Sequence, residues 1–274
     1  MKRLDFHVHF DSQDKNLLDQ LAQTARDNET WLALSGGARY GEHDFAPNEV
    51  VIQTCKNYSD CFLPLAKLDL WETANADDVY RYAEMGVRGF KCIYPYYEYD
   101  HDLYMPVYEA AEKCGLPMLF HTGNYRPCEM DTIYRRPMLR NMHPITLDRI
   151  ARAFPKLHIV MAHMGTRIFQ AEAAQYLKML PNLYADFGGF GQWRRLQADE
   201  LAEMFAPDWQ CVDVTMNNYR KIVLGSDAYV TYPHIVTDAQ KNYAYLLDRI
   251  GVPSDIQREI FGGTVASWMG INLE

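Results

Sequence analysis

The segment Arg3-Leu4-Asp5-Phe6-His7-Val8-His9 is a short apolar run that closes on two histidines one residue apart. In an extended strand successive side chains alternate between faces, so His7 and His9 share one face while Val8 packs on the other. Two imidazoles on one face, a pleat apart, can reach a single metal ion. Each histidine taken singly is equally well one that satisfies a local hydrogen bond.

Runs of the same construction recur outward from this one. Thr30–Ser35, Cys61–Lys67, Val87–Ile93, Pro117–His121, Leu157–His163, Asn182–Phe187 and Lys221–Asp227 are short, apolar and bounded by turn residues, which predicts strands. Between them the spacing turns helical. Leu17, Leu18, Leu21 and Ala25 repeat at three and four, and Val107–Cys114 follows Pro106 and stops at Gly115. Leu147–Phe154, Ala171–Leu180, Val236–Ile250 and a last helix ending near Met269 complete the alternation. Eight βα units in one chain of this length predict an α/β fold, a (β/α)8 TIM barrel, as a single domain over 1–274. A doubly wound sheet of six or seven strands is the competing arrangement. Nothing in the chain reads as a linker, an internal repeat or a low-complexity segment.

Composition narrows the function classes. The 274 residues are 48% hydrophobic, and 36 acidic against 27 basic residues give a formal net charge of -9. That balance argues against nucleic acid or an anionic membrane as partner, because phosphate binding needs a basic footprint. The first residues lack the apolar stretch of a signal peptide, and no run approaches the roughly 18 apolar residues of a membrane helix. The six cysteines are scattered with no CxxC pair. Reduced thiols in a cytoplasmic enzyme are therefore expected.

The chemistry falls at strand ends. His7 and His9 close the first strand, His121 the fifth, His163 the sixth and Asp227 the eighth. In a barrel the carboxyl ends of the strands converge on one site. Four imidazoles and a carboxylate there form a nitrogen and oxygen set suited to Zn²⁺ and neighbouring divalent ions. His43, His101, His143, His158 and His234 lack this placement, and Asp5, Asp69 and Asp186 read as supporting groups.

In this order the motifs resemble the amidohydrolase superfamily, in particular the amidohydrolase-related (amidohydrolase 2) group that includes aminocarboxymuconate semialdehyde decarboxylase. The resemblance runs from Leu-Asp-Phe-His-Val-His-Phe through Leu-Pro-Met-Leu-Phe-His-Thr-Gly and Ile-Val-Met-Ala-His-Met-Gly to Ile-Val-Leu-Gly-Ser-Asp-Ala. It reaches the closing helix, where Thr264 stands in place of the more usual Asn. It implies one metal rather than two, Zn²⁺ with Mn²⁺ or Fe²⁺ as alternatives, held by His7, His9, His121 and Asp227. It also implies catalytic roles for Asp227 and His163. Lys91 near the fourth strand end has three readings: a carboxylated bridge between two metals, an ammonium facing substrate, or an ion pair at the barrel rim.

Loops after the strands set specificity. Tyr94 opens a tyrosine-dense stretch to His101, read as a substrate wall or a subunit contact. The long loop after strand five carries Arg126, Arg135, Arg136 and Arg140, a locally basic lid suited to a carboxylate or a solvated surface loop. Arg167 and Arg39 are further candidates, and Trp193 covers the site or packs ordinarily. Lys91, Arg126, Tyr94 and Arg167 are the expected substrate-binding residues. The expected function is hydrolysis of a small carboxylate-bearing amide, ester or lactone, cyclic substrates included. Non-oxidative decarboxylation on the same metal site is the alternative, and an inactive barrel acting as a binding protein a remote one. The expected partner is a small molecule, with a homo-oligomer suggested by the aromatic loops.

Overall fold

The computed structural model describes residues 2–36, 45–71, 74–124, 138–189, 196–208 and 217–274. Arg39, His43, Arg126, Arg135, Arg136 and Trp193 lie outside them. The chain runs β1 (Arg3–His9), α1 (Lys15–Asp27), β2 (Thr30–Ser35), α2 (Asn48–Asn57), β3 (Phe62–Leu68), α3 (Ala76–Glu84), β4 (Phe90–Cys92), α4 (Met105–Cys114) and β5 (Met118–His121). It continues α5 (Thr146–Ala153), β6 (Ile159–Ala162), α6 (Thr166–Met179), β7 (Leu183–Ala185), α7 (Ala198–Phe205), β8 (Ala228–Tyr229), α8 (His234–Ile250), α9 (Ser254–Arg258) and α10 (Thr264–Met269). Two of the helices show local signals at their ends. Asp14 caps α1 by accepting from the Asn16 and Leu17 amides, and α4 starts on Pro106 and ends on Gly115 in the left-handed conformation.

All strand pairs are parallel, in the order β7-β6-β5-β4-β3-β2-β1-β8. The segment before β8 joins the two edges: Ile222 bridges Ala185, the Val223 amide donates to Ala185 O at 2.9 Å, and the Phe6 amide donates to Leu224 O at 2.9 Å. This is the (β/α)8 barrel that the alternation predicts. Leu4, Phe6, Ala33, Leu63, Leu65, Leu119, Val160, Ala162 and Val223 fill the interior, joined by Val265, Ala266 and Met269 of α10. Val8, Leu32, Leu34, Ala66, Phe90, Phe120 and Met161 face the helix layer instead. No helix among the described residues is long and apolar enough to cross a membrane. Cys55, Cys61, Cys92 and Cys114 are free thiols, the first three buried.

Two departures from simple alternation set up the site. Strict alternation would put Leu4 and Phe6 on the face opposite His7 and His9, yet all four point inward or into the site. The pairing of β1 with β2 passes from Asp5↔Leu32 to Val8↔Leu34, so Phe6 and His7 together oppose Ala33. This β-bulge inserts one residue and switches the phase of the strand. The second departure is strand eight. The expected Lys221–Asp227 carries the Ile222 bridge to Ala185, but the ladder strand itself is Ala228–Tyr229 and Lys221 lies in a preceding 3-10 turn. Asp5 supplies the reason: its Oδ1 accepts from the Ser226 amide at 3.0 Å and from the His7 amide at 3.1 Å, taking the place of ladder carbonyls.

Candidate active site

His7 lies at the centre of the cluster. Its Nε2 is 2.7 Å from Lys91 Nζ and 3.1 Å from Asp227 Oδ1, and its Nδ1 is 2.9 Å from Asp186 Oδ2. An ammonium can only donate, so Nε2 is an acceptor and Nδ1 carries the hydrogen given to Asp186. Asp186 is itself fixed, since its Oδ1 accepts from the His163 and Gly188 amides, both at 2.8 Å. His9 donates from Nε2 to Asp227 Oδ1 at 2.9 Å, and its ring stacks on Tyr229 with centroids 4.9 Å apart.

His163 Nδ1 donates to Gly188 O at 2.9 Å, because a carbonyl can only accept. Its Nε2 is therefore an acceptor, and it lies 3.1 Å from His121 Nδ1. Asn124 O, 3.3 Å from His121 Nε2, can also only accept, so the one hydrogen of a neutral His121 has a claimant on each side of the ring. Tyr94 stands beside the cluster, its ring centroid 6.0 Å from that of His121.

Backbone strain is concentrated here. His163, Met164 and Thr166 have positive φ, as does Asp227 at 59°. Non-glycine residues in this region cost of order 1–3 kcal/mol each and persist where their surroundings over-determine them. The glycines around Asp186 show how tight the packing is: a Cβ on Gly225 would stand 2.6 Å from Asp186 Oδ2, and one on Gly188 3.0 Å from Gly225 O. Behind them the Tyr243 hydroxyl accepts from the Phe187 amide at 2.6 Å and donates to Gly225 O at 3.2 Å, tying together the segments that carry Asp186 and Asp227.

Burial governs the protonation states. Desolvation drives His7 and His121 well below the ordinary histidine range and lowers His9, although the hydrogen bond to Asp227 opposes the shift at His9. Burial lowers Lys91 to about 8 against the pull of Asp227 and Asp186, and raises Asp186 to about 6 and Asp5 to about 7. Burial would raise Asp227 too, but contact with His7 and the hydrogen bond from His9 outweigh it and hold the carboxylate below its usual range. Neutral imidazoles beside an ionised carboxylate are the states that ligate a metal.

The donor atoms fit such an ion. His7, His9 and Asp227 bring one ligand atom each within 4.8 Å of one another, as do His7, His163 and Asp186, and all are buried. The cluster already accommodates a positive charge, the Lys91 ammonium on His7 Nε2. His121 touches this set through His163 rather than as a member of either group. Of the other expected site residues, Lys91 and Tyr94 lie at the cluster, and Arg126 is outside the described residues. Arg167 is 61% exposed and forks onto Glu200 of α7 at 3.0 and 3.1 Å.

Asp186 does more than alternation and spacing reveal: it fixes the hydrogen on His7. Its place two residues before Gly188, at the end of the seventh run, was the available signal. The tyrosine stretch is largely internal. The Tyr99 hydroxyl bonds His121 O at 2.9 Å, Tyr104 bonds Leu70 O at 2.7 Å and Tyr108 bonds Tyr99 O at 2.8 Å. These side chains tie strand ends together, whereas Tyr94, Tyr96 and Tyr97 stay half-buried.

The Amidohydrolase family model (Amidohydro_2) matches residues 4–267, and the chain belongs to that family. Sequence comparison with curated proteins gives no match. Among solved structures, an uncharacterized TIM-barrel protein from Bordetella bronchiseptica is 16% identical with a TM-score of 0.67, over 98% of this chain and 100% of that one. An Acinetobacter baumannii protein described as a probable 2-pyrone-4,6-dicarboxylic acid hydrolase, with citric acid bound, is 13% identical at 0.64, over 99% and 100%. A dihydroxybenzoic acid decarboxylase from Polaromonas sp. JS666, with bound manganese and 2-nitroresorcinol, is 14% identical at 0.62, over 98% and 97%. At these identities the likeness is one of fold.

Proposed function

We propose that this chain is a metal-dependent hydrolase of a small carboxylate-bearing amide, ester or lactone. His7, His9, His121 and Asp227 would hold one divalent ion, zinc first and manganese or iron as alternatives. The observation that carries this reading is the buried group in which Asp227 Oδ1 lies 2.9 Å from His9 Nε2 and 3.1 Å from His7 Nε2, where an ion would displace the hydrogen that His9 gives to Asp227. His121 would complete the set as a fourth ligand, next to His163.

When bound, such an ion polarises a substrate oxygen and acidifies water. Asp227, ionised and aimed at the cluster, accepts the proton of the attacking water and returns it to the leaving group. His163 presents Nε2 as a second proton-accepting atom, its ring held by the Nδ1 bond to Gly188 O. Lys91 supplies an ammonium for a substrate carboxylate, and Tyr94 a wall beside it. Arg167 takes no part, because Glu200 engages it at the surface.

Decarboxylation is the second reading, supported by the shared fold of the manganese-containing dihydroxybenzoic acid decarboxylase. There the same residues would deliver a proton to carbon as CO₂ leaves. The test is an assay of zinc- and manganese-loaded protein for ring opening of carboxylated lactones and for CO₂ release from dihydroxybenzoates. Lactone turnover that falls at least about 100-fold in Asp227→Asn supports hydrolysis. CO₂ release without lactone turnover replaces it with the second reading, and no metal affinity in the folded protein refutes both.

A further inference from the structure

Lys67 lies outside every role assigned so far. Leu63 and Leu65 of β3 point into the barrel and Ala66 and Leu68 point to the helices, so Lys67 continues the inner face one pleat above Leu65. It pairs in register with Lys91, and paired residues on strands about 4.8 Å apart project to the same side. Two lysines therefore stand side by side at the carboxyl end of the barrel.

Nothing in the fold gains stability from that arrangement, since like charges directly opposite each other destabilise a sheet. Lys67 is nevertheless buried, at 7% exposure, and its position is clamped. Asn48 donates to Lys67 O and accepts from the Lys67 amide, both at 2.9 Å. Among the described residues the ammonium bonds one carboxylate, that of Asp69. Asp69 stands at the exit of the strand with its side chain 67% exposed, so water can take over its charge when it lets go. An ammonium has three hydrogens, and Asp69 uses one of them.

We propose that Lys67 and Lys91 form a two-ammonium subsite in which Lys67 takes a second carboxylate of the substrate, remote from the reacting bond. The substrate would thus be a dianion spanning the distance from the His7 cluster to the rim at β3, and Asp69 holds Lys67 in its absence. This rests on the metal-site reading above for the position of the reacting group.

The test compares benzoate with isophthalate, which differ by one carboxylate, by calorimetric titration of metal-loaded and metal-free protein. Wild type should bind isophthalate at least about tenfold more tightly, the size of one charge-assisted hydrogen bond. Lys67→Met should abolish that preference and leave benzoate within about twofold, and Lys67→Arg should restore it. Asp69→Asn should strengthen isophthalate binding and leave benzoate unchanged, because the ammonium loses its competitor. A purely structural Lys67–Asp69 pair would give no gain. An unchanged preference in Lys67→Met, a weaker one in Asp69→Asn, or no preference in wild type overturns the subsite. If Lys67→Met does not fold, the Asp69→Asn and Lys67→Arg titrations decide. Metal affinity with no isophthalate preference fails the subsite alone. A Lys67-dependent preference in protein that binds no metal fails the metal reading alone.

Discussion

Asp186→Asn separates the role of a carboxylate that orients from one that ligates. The substitution keeps the size and keeps Oδ1, which can still accept from the His163 and Gly188 amides. What changes is the atom 2.9 Å from His7 Nδ1. A carboxylate oxygen there accepts the Nδ1 hydrogen and leaves Nε2 with its lone pair, whereas an amide NH₂ donates and drives the hydrogen onto Nε2. That tautomer removes His7 as a ligand through Nε2. Loss of such a carboxylate–histidine contact typically weakens metal binding 10–100-fold, or about 1.4–2.7 kcal/mol. The amide cannot swing away, because Gly188 and Gly225 pack against the side chain. Competition against a chromophoric chelator gives the Zn²⁺ and Mn²⁺ affinities, and circular dichroism confirms that the variant is folded. A folded Asp186→Asn protein with affinity within about twofold of wild type would refute the reasoning.

Other substitutions probe the surroundings. Tyr243→Phe strands the buried Phe187 amide, and should cost about 1–3 kcal/mol, seen as a lower Tm in calorimetry. Arg167→Ala should leave kcat/KM and stability nearly unchanged, within about 0.5 kcal/mol for an exposed ion pair, and a large fall in kcat/KM would return Arg167 to the site. Asp5, raised by burial to about 7, supplies a pH test. A carboxyl whose folded value lies above its unfolded one contributes stability that is complete below the unfolded value of 3.8 and is lost as pH rises towards 7. Wild type should therefore lose more stability than Asp5→Asn between pH 4 and 7, by an amount on the order of 4 kcal/mol in denaturant titrations. Parallel pH profiles would show that Asp5 titrates normally.

The alternation of short apolar runs with helical spacing was enough to define the barrel, and strand-end placement was enough to gather His7, His9, His163 and Asp227. Features set by contacts between distant residues were not legible. Strict period-two reasoning cannot locate the bulge opposite Ala33, because the bulge depends on Asp5 meeting Ser226 across 221 positions of chain. The tyrosines between 94 and 108 look alike in sequence, and only their partners tell Tyr99 and Tyr108, which cap internal carbonyls, from Tyr94 beside His121. Lys67 was hidden at the end of an ordinary apolar run, and the register with Lys91 makes it conspicuous. Arg167 has its place set in the same way: four residues past His163 is already inside α6, on a turn of helix where Glu200 of α7 engages it.

The bulge in β1 also works as a phase adapter. Below it Leu4 and Phe6 obey the packing of the barrel floor, and above it His7 and His9 obey the site. Substitutions in the floor can change its size without rotating the histidines, because the adapter counts residues and not volumes. Pairing β1 with β2 in regular register, with every residue kept and no bulge, would have the opposite consequence. The floor would remain apolar and the barrel could still close, but the strand above would turn over, sending Val8 and Phe10 into the mouth and both histidines into the helix layer.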